Sequence, residues 1–391
     1  MAGEKRSADG TGERAWRELV GSLGDAAKTI TGPTGAANAL ERAEGFRYLT
    51  RLLAAGLEMH LERADAARPS FTRMLSPIRK FLGDNPDVLY EYVPLDGARR
   101  YRVRGRRGSE LYLAFCVYDR GADGATKIGA NLSDAQMRFE PDGCFEVVLA
   151  PERPADARNW LRLGPEAASM IARQYFHDPL GTTPARLEIE AIPAAPAPAP
   201  LGEAELAQRL GAVAHFVRET SELSAALSVF AGLNPAPRGE GEHSALQVVG
   251  GVVQGDRASA RELAMQLDPK LVAGHLPTPD IAYTGAWWRI APDEAVVVEG
   301  TPPRCRYWSL QTFNRWFESP DYRHRRVALN DSQAALAADG SFRAVIAARD
   351  PGVANWLDSA GHEEGHVVFR ALLAEAPPVL RFRIVKLDSL R

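Results

Sequence analysis

Two spacings of apolar residues divide this chain. Near the start the spacing is helical. Phe46, Leu49, Leu53, Leu57 and His60 or Leu61 recur at three and four residues, predicting a helix over 36–63. A shorter one is expected over Trp16–Ile30, with Trp16, Leu19, Val20 and Leu23 on one side and Gly32-Pro33 ending it. From Tyr101 the period becomes two. YRVRG, LYLAFCVYD and CFEVVLA alternate or run apolar between Gly and Asp-Gly punctuation, and read as short antiparallel strands. Pro165–Tyr175 reads as a helix and Arg186–Ile192 as a closing strand. Leu201–Phe230 is helical, with Leu206, Leu210, Val213, Phe216 and Val217 on one face. Val248–Gln254 looks like a strand or turn, and a short helical stretch is expected near Ala258–Gln266. Strands resume at Tyr283 with AVVVEG, RYWSLQTFN, SFRAVIAAR, HVVFRALLA and VLRFRIVKL.

The two strand-rich halves share a phrase. Leu132–Leu161 reads LSDAQMRFEPDGCFEVVLAPERPADARNWL and Leu329–Leu357 reads LNDSQAALAADGSFRAVIAARDPGVANWL. Each holds Asp-x-Gln, then Asp-Gly-x-Phe, an alternating strand and Asn-Trp-Leu. The offset is 333 − 136 = 197 at the Gln and 355 − 159 = 196 at the Asn. A long-period self-match fixes architecture before anything else. AVVVEG answers YRVRG, Trp308–Phe313 answers Leu113–Tyr118, Arg370 answers Arg173, and VLRFRIV answers ARLEIEA. The expected fold is α+β: two related antiparallel β-sandwich (jelly-roll-like) domains with helical N-terminal and inter-domain segments. The expected boundaries are a helical region over 1–85, a first sandwich over 86–192, a Pro/Ala linker and helical connector over 193–275, and a second sandwich over 276–391. IPAAPAPAP (Ile192–Pro200) is the clearest break, extended and semi-rigid.

Composition narrows the function classes. A length of 391 residues calls for two or three cores. A net charge of −3 and a pI near 6.3 argue against nucleic-acid binding. No apolar run reaches the roughly 18 residues of a membrane helix, and the polar start lacks a secretory h-region. The expectation is a cytoplasmic protein. Its Ala, Arg and Gly richness fits a GC-rich bacterial origin. Cys116, Cys144 and Cys305 show no metal-ligand spacing, and the strand-like contexts of Cys116 and Cys144 read as buried thiols.

Candidate chemistry follows from comparing the copies. His362-Glu363-Glu364-Gly365-His366 matches H-E-x-x-H, which needs both His on one helical face. Val367, Val368 and Phe369 make the stretch a strand, and residues four apart on a strand lie roughly 13 Å apart, too far for one zinc. No metal site and no cofactor is expected. Asn159-Trp160 and Asn355-Trp356 stand in both copies and read as scaffold. Residues present in only one copy are the better functional candidates: Asn314, Arg315, Trp316, Asp321, Tyr322, Asp358 and His362. His362 is a candidate acid or base oriented by Asp358 four residues away, with Tyr322 beside them. Arg173 and Arg370 are candidate clamps for a carboxylate or phosphate, a local Asp or Glu partner being the alternative. Trp287, Trp288, Trp308 and Trp316 are candidate pocket walls.

GFRYLTRLL, GDNPDVLYEY, YRVRG, DIAYTGAWWRIAPDEAVVVEG, RYWSLQTFNRW, DPGVANWLDSAGH and RFRIVKL resemble bacterial proteins of the domain-of-unknown-function 1214 family over about residues 40–391. The resemblance implies β-sandwich-rich architecture and no particular activity. The expected function is therefore an enzyme acting on a small, largely apolar molecule. Its catalysis would be metal-independent, acid–base or electrostatic, in a pocket of the second sandwich or between the domains. The substrate-binding candidates are Arg370, Asn314, Trp316, Trp308 and Arg173. The alternatives are a non-catalytic carbohydrate- or lipid-binding module and an assembly protein that forms homo-oligomers through its helices.

Overall fold

The computed structural model describes residues 10–122, 124, 126–178, 181–239, 246–249, 252–255 and 274–390. It is mostly β, with helices at the N-terminus and in the connector. Helices α1 (Thr11–Ala26), α2 (Lys28–Thr31) and α3 (Ala39–Gly56) come first, and α3 continues with π-helical winding over Leu57–Glu62. Asn38 caps α3 by accepting from the Glu41 amide at 2.9 Å, and Glu41 reaches back to the Ala37 amide at 2.7 Å, a variant of the capping box. The buried face of α3 is Tyr48, Leu49, Leu52 and Ala55, while Phe46 is exposed. On α1, Leu19 is buried but Trp16 and Val20 are exposed, so the expected faces are rotated. Thr11 already lies in α1, residues 1–9 lie outside the described residues, and so does the helix expected near 258–266.

The first sandwich contains β1 (Thr72–Arg73), β2 (Val88–Pro94), β3 (Arg100–Arg106), β4 (Tyr112–Arg120), β5 (Thr126–Ser133), β6 (Cys144–Ala150), β7 (Asn159–Arg162), β8 (Ala167–Tyr175) and β9 (Arg186–Ile192). Helix α4 (Glu203–Ala231) follows. The second sandwich contains β10 (Leu246–Val249), β11 (Val252–Gly255), β12 (Ile281–Arg289), β13 (Glu294–Gly300), β14 (Tyr307–Phe313), β15 (Ala328–Asn330), β16 (Phe342–Ala347), β17 (Trp356–Asp358), β18 (Glu364–Leu372) and β19 (Leu380–Lys386). The sheet orders match strand for strand. β2-β8-β4-β5 corresponds to β12-β18-β14-β15, and β7-β6-β3-β9 to β17-β16-β13-β19. β1 extends the first copy from within the segment expected to be helical. The β10–β11 hairpin extends the second from within the expected connector.

The shared phrase is scaffold in both copies. Asn159 donates to the carbonyls of Arg138 and Glu146, and Asn355 to those of Ala335 and Arg343. Trp160 and Trp356 donate to the carbonyls of Ala150 and Ala347. The helix expected over Pro165–Tyr175 is instead β8, a central strand. AASMIARQY has helix-forming composition and no alternation, because both faces of β8 are covered: Met170 and Ala172 join the sandwich core, and Ile171 packs under α3. Tertiary burial overrode local propensity there.

Sheets β1-β2-β8-β4-β5 and β11-β10-β12-β18-β14-β15 meet through their outer faces. Val88, Tyr112, Ala114 and Tyr175 pack against Ile281, Tyr307 and Leu372. The polar contacts are reciprocal. Tyr112 donates to Asp280, and Tyr307 donates to Asp87 at 2.6 Å. Strand register makes Tyr112 and Tyr307 equivalent, and likewise Asp87 and Asp280. Arg306 binds Asp134 while His177 binds the equivalent Asp331. The halves therefore meet as an isologous dimer would, about a pseudo-two-fold axis.

Candidate functional site

Two of the copy-specific residues of the second sandwich, His362 and Asn314, meet at Glu44 of α3. His362 Nε2 lies 2.7 Å from Glu44 Oε2, and Asn314 donates to the same oxygen at 2.8 Å. His362 Nδ1 donates to the Ser359 carbonyl at 2.9 Å. Burial opposes the charge on His362, but Glu44 outweighs it and raises the imidazole pKa. Burial likewise works against the Glu44 carboxylate, and His362 with Asn314 turns the balance and lowers its pKa. The Asp358–His362 dyad expected from their spacing is not formed. Asp358 instead accepts from Arg325 at 2.6 Å and from the Ala360 amide at 2.7 Å. Asp358 closes its own turn, which takes its carboxylate away from the imidazole.

Trp316, another single-copy candidate, also holds α3. It is buried, donates to the Glu41 carbonyl at 2.9 Å and stacks on Tyr48. Gly45 lets it approach, since a Cβ there would stand 2.8 Å from the indole. Tyr322 lies under the Lys80 ammonium, 4.2 Å from ring centre to nitrogen. Trp308 packs with Phe342 and Phe369 in a cluster of three near-parallel rings in the second core. His366 of the H-E-x-x-H stretch lies on β18 and turns to Ser228 at 2.8 Å, away from the Glu44 partner of His362.

Arg173 and Arg370 are brought together elsewhere. Both line a cavity of about 210 Å³ at the pseudo-two-fold interface, walled by β2, β8, β12, β18 and the end of α4. Met74, Leu82, Ile171, Leu227, Phe230 and Phe317 make it predominantly apolar. Tyr90 and Tyr283, equivalent residues beside the two arginines, also line it. Desolvation pushes both phenols upward, so they are neutral donors. No Asp or Glu stands among the described lining residues, and neither arginine has a carboxylate partner among them. Among the described lining residues, these two buried positive charges stand beside an apolar space with no carboxylate.

His366 also lines the cavity. Ser228 spends its proton on the Arg315 carbonyl, so His366 Nε2 must donate to Ser228 and Nδ1 is left as the acceptor. Burial, with His275 and Arg315 nearby, lowers its pKa to about 3, which keeps it neutral. Trp287 lies edge-on to it at 4.8 Å, and the Trp287 Nε1 and Thr284 Oγ1 are buried without hydrogen-bond partners. Of the residues singled out from sequence, Arg173, Arg370 and Trp287 meet here. Tyr90, Tyr283 and His366 were missed as cavity residues. The equal placement of Tyr90 and Tyr283 beside their arginines was the available signal, and it needs the strand register to be seen.

The family model described as a protein of unknown function (DUF1214) matches residues 91–179 and 294–376, one match in each sandwich. No curated protein matches the chain. An uncharacterised protein from Burkholderia cenocepacia has a solved structure similar to this one. It is 36% identical, with 97% of this chain and 98% of that chain covered, at a TM-score of 0.83. The VPA0106 protein from Vibrio parahaemolyticus is 12% identical over 92% of this chain and 99% of its own, at a TM-score of 0.46, and carries no structural argument.

Proposed function

We propose a small-molecule function for this chain, which belongs to the DUF1214 family of proteins of unknown function: it acts on a small, largely apolar molecule held between its two sandwiches. Convergence carries the reading. Both copies and α4 converge on one apolar cavity with a few polar groups, the usual form of a ligand site. Apolar cavities of about 150 Å³ take up benzene, so this one suits a single ring or a short chain with one small polar group. Catalysis there would be electrostatic, the guanidiniums stabilising negative charge that develops on the bound molecule. His366, neutral at physiological pH, offers only an acceptor. The carbohydrate-platform alternative needs exposed aromatics, and Trp287, Trp288, Trp308 and Trp316 are all buried. The non-catalytic lipid-binding alternative is favoured by one feature, the lack of a carboxylate base among the described lining residues.

The test is to purify the chain, record native mass spectra, and extract any bound species. Ala231 at the end of α4 lines the cavity, so Ala231→Phe should fill it and reduce the bound fraction while the melting temperature holds. An unchanged bound fraction in Ala231→Phe would sink the proposal. Incubating the extracted molecule with fresh protein and following it by NMR separates turnover from simple binding.

A further inference from the structure

The pseudo-two-fold symmetry fails at one position that matters to the cavity. Arg173 and Arg370 are equivalent, each on the central strand of its copy. Arg370 Nη2 donates to the Gly83 carbonyl at 2.7 Å, and Arg173 Nη2 to the Leu276 carbonyl at 2.8 Å. These acceptors are equivalent too, since 276 − 83 and 283 − 90 are both 193. Both residues have left-handed backbone, Gly83 at φ +71° and Leu276 at φ 53°, although a leucine there is disfavoured. The first nitrogens differ. Arg370 Nη1 donates to Gln311 Oε1 at 2.8 Å. Register places Cys116 where Gln311 stands, opposite Ile171 as Gln311 is opposite Val368. Arg173 Nη1 is buried with no hydrogen-bond partner.

Cys116 does not replace the missing oxygen. Burial pushes its thiol pKa up, so it stays a neutral thiol, a weak acceptor. Desolvation opposes the charge of Arg173, and the groups acting on it most are Tyr118, Cys116, Tyr90 and Tyr283, none a carboxylate. Arg173 is 95% buried by its 5% exposure, and a guanidinium does not lose its proton. Arg173 lines an apolar cavity with only neutral acceptors, the Tyr118 hydroxyl at 2.7 Å and the Leu276 carbonyl, so among the described residues its charge has no carboxylate partner, which makes a half-built anion site. One free nitrogen suits a carboxylate better than a phosphate, whose three oxygens all require donors.

Resting on the cavity being a ligand site, we propose that its ligand is a carboxylate, an aromatic or short-chain acid whose anionic end is held by Arg173 and whose apolar body fills the cavity. Arg370, satisfied by Gln311, positions the loop at Gly83 instead. The asymmetry gives the ligand one orientation in a symmetric pocket.

The experiment titrates purified protein with benzoate and hexanoate and with benzyl alcohol and 1-hexanol, by calorimetry. A charged hydrogen bond should make each acid bind about tenfold or more tightly than its alcohol. Cys116→Gln supplies Arg173 with the acceptor that Arg370 already has, so the acids should lose that advantage while the alcohols still bind. Equal binding of acid and alcohol by the native chain overturns the carboxylate and leaves the cavity reading standing. No uptake of any of the four probes overturns the cavity reading itself. An acid preference retained by Cys116→Gln places the anion elsewhere and overturns the assignment to Arg173. Should Cys116→Gln fail to fold, Arg173→Met gives the same two outcomes: preference lost in support, preference kept against.

Discussion

One amide oxygen decides whether Nη1 of the guanidinium is paired. Gln311 gives Arg370 Nη1 its acceptor, and Cys116 gives Arg173 none. Removing that oxygen should therefore cost stability in the second copy. Gln311→Leu keeps the volume roughly constant and strands a buried charged donor, so a loss of about 1–3 kcal/mol is expected. The midpoint of urea unfolding reads it, and an unchanged midpoint would show that Arg370 finds another acceptor. At this scale the sequence was half legible. The self-match paired Arg173 with Arg370, and the offset of 195 at Trp308 and Leu113 already aligned Gln311 with Cys116. What is not legible is that this side chain of the neighbouring strand faces the guanidinium. Nor does local sequence tell that an arginine lacks a carboxylate, since carboxylates reach such sites from distant segments.

At the scale of elements, strands and helices were read differently well. Alternating strands such as β3 and β9 are legible because one face of each is wet, whereas β8, covered on both faces, reads as a helix. The Asn314–Tyr322 and Asp358–His362 segments stood out because only one copy has them. Their contacts supply a reason, because they clasp α3 and its surroundings to the second sandwich. His362, Asn314 and Glu44 form one part of that clasp, Arg51 with the buried Glu318 at 2.6 Å another. The His362–Glu44 pair makes the docking pH-dependent in a definite direction. His362 has a raised pKa, so its contribution is complete below the unfolded value near 6.5 and is lost as pH rises through the folded value. Glu44 has a lowered pKa, so its contribution is present above 4.5 and is lost as pH falls through the folded value. The melting-temperature difference between the native chain and Glu44→Gln should be greatest between about pH 4.5 and 6.5. It should narrow at alkaline pH. A difference that is flat from pH 5 to 9 would mean that His362 is not charged in the fold.

Over the whole molecule, the duplication that was legible in sequence predicted two sandwiches but not that they are joined as an isologous pair. Nothing in a self-match says which faces meet. The structure shows that they share one apolar cluster, with Tyr112, Tyr175 and Tyr307 at its centre, and that each donates a phenol to the other's aspartate. Tyr175 stacks edge-on to both Tyr112 at 5.5 Å and Tyr307 at 5.3 Å, so the rings form one continuous wall across the axis. Two sandwiches bound in this way should unfold together, although chains of this length often unfold in steps. A single calorimetric transition is expected for the native chain. Tyr307→Phe leaves the Asp87 carboxylate with Asn330 but without the phenol, in a site where burial already pushes its pKa up. That loss should cost about 1–3 kcal/mol and fall on the interface rather than on either core. The expected result is a lower melting temperature with the transition broadening or splitting, because the coupling between halves is weakened more than the halves themselves. Tyr112→Phe, its equivalent, should behave alike, with Asp280 retaining Asn131. Two well-separated transitions in the native chain would show that the sandwiches fold independently, and a cavity built between them would then open whenever either one loosens.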